Sequence, residues 1–194
     1  MSLHDDLRDI ALHEFATAGY AATSLQRIAD LAGTSKASVL YHYSSKEQLL
    51  ADAIGPALDD ISALIATVRG GSFDVDERRA FLERFVDLLL AHREVVHLVI
   101  NQSATLQDVP AIARAQDVMR DISAFFDIAT SSTVEKLRFG IALAGAAYSL
   151  ATANLLGLDE PPADEVRDAL ITVLSELLAP DTARSLELTR STES

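Results

Sequence analysis

The sequence contains no cysteine. That excludes a disulfide framework and any thiolate metal site. It also lacks a Gly-rich phosphate loop, a Walker motif and an HExxH pair, so nothing points to nucleotide hydrolysis or zinc-dependent proteolysis. His92 and His97 are five residues apart and diverge on a helix, which makes no metal pair. No cofactor site and no catalytic constellation stand out, and the chain reads as a non-enzyme. The opening MSLHDDLRDI has neither a basic n-region nor an apolar h-region, so a cytoplasmic protein is expected. No internal repeat or low-complexity segment interrupts the 194 residues. That length suits one medium domain, or a small head with a body large enough for a real core.

Basic residues are scarce as well. The chain has 16 Lys and Arg against 29 Asp and Glu, a formal charge of −13. Such a balance at first argues against nucleic acid. Its distribution says more. Residues 55–194 hold 12 basic and 22 acidic side chains, so −10 of the total lies there. Within 24–46 the charged residues are Arg27, Lys36 and Lys46 against Asp30 alone, which leaves +2. An acidic body with a positive tip would turn that tip toward DNA and hold the rest away, with an affinity that salt weakens sharply.

The tip is also where the pattern is densest. Ser24 to Lys46 reads SLQRIADLAGTSKASVLYHYSSK. Leu25, Ile28, Ala29 and Ala32 recur at helical spacing, with Thr23 and Ser24 as N-cap candidates. Gly33 ends this helix and supplies a turn. Thr34 or Ser35 then caps a second helix that carries Val39 and Leu40 inward. A small residue (Ala29), a glycine (Gly33) and an apolar residue (Val39) fall where two closely crossing helices need them, as in a helix-turn-helix. The outward residues of the second helix are Ser35, Lys36, Ser38, Tyr41 and His42, small, donor-rich or cationic, which suits the major groove. Gln26 is placed to reach a base edge or a phosphate, and Thr23 and Lys46 are expected to grip phosphates.

Phe15, Gly19-Tyr20, Thr23-Ser24, Ile28-Ala29, Ala32-Gly33, Ser35-Lys36, Tyr41-His42-Tyr43 and Lys46-Glu47 together resemble the N-terminal signature of tetracycline-repressor family regulators. The resemblance is specific over about residues 7–50. Beyond them only length and helical pattern agree. Leu40 departs from it, standing where many members carry a second aromatic, and Tyr43 stands where Phe is commoner. The resemblance implies a dimeric, ligand-responsive DNA-binding regulator whose last two helices form a four-helix dimer interface.

The rest of the chain reads as helices. Leu7, Ile10, Ala11 and Phe15 stripe a first helix over about 3–18, ended by Gly19. A fourth helix runs from Lys46 to about Arg69, capped by Ser44 or Ser45, with a kink or bend expected at Gly55-Pro56. Gly70-Gly71-Ser72 marks a loop. Phe81, Phe85, Leu88 and Leu89 stripe a fifth helix. Residues 95–100, VVHLVI, fit strand or buried helix by periodicity, and the absence of any neighbouring strand signal decides for a helix over about 93–104. Pro110 begins a seventh, Ser132 and Glu135 form a capping box for an eighth, and Pro161-Pro162 begin a ninth that Pro180 stops.

The eighth helix begins a run of twenty uncharged residues, Phe139 to Leu158, the length that spans a bilayer. Ser149, Thr152 and Asn154 interrupt it, and many Gly and Ala dilute it. Burial on two sides, against the body and against a second subunit, explains it without a membrane. Gly140, Ala144, Ala147 and Ala151 would allow close helix approach.

His97 and Asn101 share a helix face within an apolar run. They are either core polar residues bonded to each other or to backbone, or anchors of a ligand cavity walled by Phe85, Met119 and Phe126, with Tyr148 and Asn154 as further polar groups.

The sequence therefore predicts an all-α fold of about nine helices, with a helix-turn-helix head at 1–45 and a ligand-binding and dimerisation body at 46–194. Its expected partners are double-stranded DNA, a small-molecule effector and a second copy of itself, held through helices eight and nine. The expected function is a repressor released from a palindromic operator. The rival reading is a helical interaction protein whose head binds protein instead of DNA.

Overall fold

The computed structural model describes residues 2–68, 75–106, 109, 112–130, 132–153 and 161–179. Every regular element among them is helical: α1 (Leu3–Glu14), a π-helical turn (Phe15–Gly19), α2 (Leu25–Leu31), α3 (Lys36–His42), α4 (Lys46–Ala66), α5 (Val75–Ala91), α6 (Arg93–Leu106), α7 (Ile112–Ala129), α8 (Thr133–Ala151) and α9 (Ala163–Leu177). Residues 70–72, Pro110, Asn154 and Pro180 lie outside the described residues.

Local chemistry sets most helix starts. Ser2 caps α1 in a reciprocal box with Asp5. Ser45 accepts from the Gln48 amide at 3.2 Å to start α4, and Ser132 accepts from Glu135 at 3.2 Å to start α8. The VVHLVI stretch is helical and lies within α6. α4 continues through Gly55 and Pro56, and Gly55 is buried.

Two apolar clusters hold the fold. The first joins Leu7, Phe15, Ile28, Val39 and Leu49 of the N-terminal helices to Val95, Leu98 and Leu106 of α6 and Val118 of α7. The second gathers the end of α4 with α5, α8 and α9 around Leu82, Val86, Phe139 and Leu174. Arg167 of α9 forks onto the Asp87 carboxylate of α5 at 2.5 and 3.1 Å, and this guanidinium holds the carboxyl below its ordinary range.

The first cluster is sealed by a polar latch. Gln102 of α6 donates from Nε2 to the Phe15 carbonyl at 2.6 Å, and its Oε1 accepts from the Tyr20 amide at 2.8 Å. Those two backbone groups flank the π turn, where the α-helical ladder breaks. Nearby, His13 Nδ1 lies 2.8 Å from Glu94 of the same α6. Gln102→Leu keeps the side-chain volume and strands both backbone groups at buried residues. It is expected to cost about 2 kcal/mol, read as a lower urea midpoint at unchanged slope.

Candidate nucleic-acid interface

The α2–α3 pair is built from its caps and its turn. Ser24 accepts from the Arg27 amide and Ser35 from the Ser38 amide, each at 3.1 Å. Gly33 turns the chain at φ +64°, in the left-handed region, and the Thr34 amide then bonds back to the Ala29 carbonyl at 2.9 Å. Ala29 and Val39 are fully buried where the helices meet. Tyr43 fixes the end of α3: its hydroxyl reaches Asp52 and the His4 carbonyl, each at 3.1 Å, and its ring stacks on His4. Burial raises the Tyr43 phenol far above its usual range, so it stays a donor.

This frame leaves one side of α3 open. Lys36, Ala37, Leu40 and Tyr41 are exposed, at positions i, i+1, i+4 and i+5, which is a single face. Tyr41 is 86% exposed and Leu40 43%. Lys36 has no ion-pair partner among the described residues. Ser38 and His42 are half-buried at the edges of the face, and His42 meets Tyr41 edge-on. Ser35 is exposed, with its hydroxyl engaged as the cap. Gln26 is exposed on α2 and donates to Asp30 at 2.8 Å, a bond that an incoming acceptor can replace.

Two residues expected to grip phosphate are turned inward. Thr23 is only 3% exposed, and its hydroxyl donates to the carbonyls of Gly19 at 2.9 Å and Glu14 at 3.3 Å. Its side chain closes the turn before α2 and presents nothing to a ligand. Lys46 donates to the carbonyls of Tyr20 at 2.6 Å and Thr23 at 2.7 Å, with its ammonium over the Tyr20 ring. Two of its three hydrogens are thus spent inside the head, and one is left for a phosphate. Sequence reasoning missed Ala37, and it turned Leu40 inward with Val39; one residue step rotates a helix by about 100°, and Leu40 is 43% exposed beside a fully buried Val39.

The expected ligand anchors are dispersed. His97 Nδ1 donates to the Ala151 carbonyl at 2.8 Å, since a carbonyl can only accept. The Asn101 amide donates to the His97 carbonyl at 3.1 Å and to Ala151 at 3.3 Å. The pair satisfies an orphan carbonyl at the end of α8, so it clamps α6 to α8, and Asn101 is exposed, not buried. Phe85 stacks on Phe81 inside the second cluster as core. Tyr148 is 56% exposed on the outer face of α8, away from any body interior. The side chains of Met119 and Phe126 lie outside what the structure describes. An open groove of about 400 Å³ runs between α4 and α5, lined by Asp60, Leu64, Thr67, Arg84, Asp87 and Leu88 among others. Of the expected pocket residues, it includes none.

Residues 7–53 match the family model of the bacterial regulatory proteins of the tetR family. The HTH-type transcriptional repressor KstR2 of Rhodococcus jostii is 31% identical over 112 residues, 52% of this chain and 53% of that protein. Its Mycolicibacterium smegmatis counterpart is 29% identical over 107 residues, 55% and 49% of the two. The chain thus spans about half the length of the curated relatives it matches. Among solved structures, the ketosteroid transcriptional regulator KstR2 of Mycobacterium tuberculosis superposes with a TM-score of 0.65 at 18% identity, over 91% of this chain and 93% of that one. A TetR-family member from Streptomyces coelicolor gives 0.64 at 24% identity, over 90% and 91%. Residues 7–53 thus resemble the tetR family of bacterial regulatory proteins, and the chain shares the all-helical fold of these solved structures.

Proposed function

We propose that the protein is a dimeric, effector-responsive transcriptional regulator: a repressor that holds a palindromic operator and leaves it when a small molecule occupies the body. In this reading the head, 1–45, enters the major groove with α3, and the body, 46–194, dimerises and senses. It works in the cytoplasm and is not an enzyme. The observation that carries the reading is the open face of α3, where Lys36 and Tyr41 stand clear on a frame fixed by Ser24, Gly33 and Ser35. Support for the second copy comes from α8 and α9. Val134, Leu137, Ile141 and Tyr148 on α8 and Val173 on α9 are large apolar side chains, each more than half exposed. On α8 they recur at helical spacing as one stripe. Support for repression comes from the relatives, which are repressors.

The test is selection of bound fragments from sheared genomic DNA, followed by gel shifts at 50 and 200 mM salt. A recurring palindrome with half-sites about one helical turn apart is expected. Its affinity should fall steeply between the two salts, as phosphate contacts require. Protein that retains no fragment at low salt and micromolar concentration would leave the reading without its first step.

A further inference from the structure

Ala37 and Leu40 lie on the open face of α3 between Lys36 and Tyr41. Leu40 is 43% exposed, while Val39 beside it is fully buried. Among the described residues, Leu40 is left exposed on this apolar surface. If α3 lies in the major groove, the base edges cover it. Those edges are mostly hydrogen-bond donors and acceptors, and the one apolar group that projects from them, beyond a bare C–H, is the C5-methyl of thymine. Against a polar edge an isobutyl group would displace water from a donor or acceptor and return no bond, and against a bare C–H it would bury little. Against a methyl it removes apolar surface from water on both sides. Lys36 at one end of the face carries a charge with no ion-pair partner among the described residues, and the stretch 24–46 has a formal charge of +2. That favours a polyanion over an apolar protein surface as the occupant.

From this we infer that α3 reads the 5-methyl group of a pyrimidine, thymine in unmodified DNA, with Leu40 as the specificity-determining residue and Ala37 beside it. The inference rests on the DNA-binding reading above and adds what each half-site must contain. One thymine per half-site is recognised by its methyl, without a hydrogen bond from α3.

The experiment uses the full-length protein and the selected operator, with affinities by fluorescence anisotropy at one salt. Each thymine in the half-site is replaced by uracil, which deletes only the methyl. At one position per half-site the loss should be about fourfold, and about fifteenfold with both half-sites changed. At that position cytosine should bind more weakly than 5-methylcytosine by a similar factor, because the two bases share every other group. Leu40→Ala, at an exposed site, should keep the melting temperature and bind thymine and uracil duplexes equally. Indifference of the wild-type protein to uracil everywhere overturns the inference and leaves the regulator reading intact. A methyl effect that survives Leu40→Ala overturns the assignment to Leu40, and equal binding of cytosine and 5-methylcytosine overturns the methyl as the feature read. Failure to bind any fragment overturns the regulator reading instead, so the two failures are separate.

Discussion

Ile141→Arg should convert a dimer into a folded monomer and weaken operator binding by roughly 10²- to 10⁴-fold. Ile141 is 65% exposed near the middle of the α8 stripe, between Leu137 and Tyr148. Because the side chain points outward, arginine there costs the isolated chain almost nothing. In a two-fold interface the substitution enters twice, so two unpaired charges are buried. Ala144, also exposed on this side, and Gly140 are small enough to let a second helix approach closely, which would leave a long side chain at 141 little room. A palindrome amplifies the defect. One head held on its half-site raises the local concentration of the other, and a monomer loses that gain without losing a single DNA contact. Sedimentation equilibrium measures the first effect and anisotropy with the selected operator measures the second. Wild-type protein that sediments as a monomer at tens of micromolar would remove the interface. A variant that stays dimeric would move it off α8.

The sequence was most legible where a signal and its partner lie within one helical turn. Ser24, Ser35, Ser45 and Ser132 each accept from the amide three residues on; the first three are the second of two adjacent candidates that the sequence left open. Gly33 has the positive φ that its place between two helices demanded. Legibility fell with sequence separation. Lys46 finds its carbonyls 26 and 23 residues upstream. A cation at the end of a DNA-reading segment looks like a phosphate contact until those carbonyls are seen. Gln102 is one polar residue on a helix, and its partners Phe15 and Tyr20 lie 87 and 82 residues away. The π turn at Phe15–Gly19 has no composition of its own, and the pattern there reads as ordinary helix running into Gly19. His97 and Asn101 were correctly paired by their i, i+4 spacing, but the carbonyl they serve belongs to α8. Leu40 failed for a different reason. An apolar residue beside a core valine is read as core by habit, whereas its angle on the helix turns it outward.

Phe15→Ala is the substitution expected to cost most in stability, roughly 3–5 kcal/mol. The ring is fully buried and meets Tyr20 edge-on at 5.2 Å. It belongs to the cluster that holds α1 to α4 together with Val95, Leu98 and Leu106 of α6. Its carbonyl is also the acceptor of the Gln102 latch. The head therefore has no apolar core separate from α6, and its melting should not be separable from that of the body. Scanning calorimetry should show one transition for the wild type and one for the variant, lowered by roughly 10 °C. A variant with two transitions, the first abolishing operator binding while helical signal from the body persists, would show instead that the head folds by itself. One transition carries a functional consequence. A head that shares its core with α6 cannot keep its orientation if α6 shifts, and α6 is clamped to α8 by His97 and Asn101 five and one residues before Gln102. Any event in the body that displaces α6 is then felt at the π turn, where the first helix of the head begins its approach to α2.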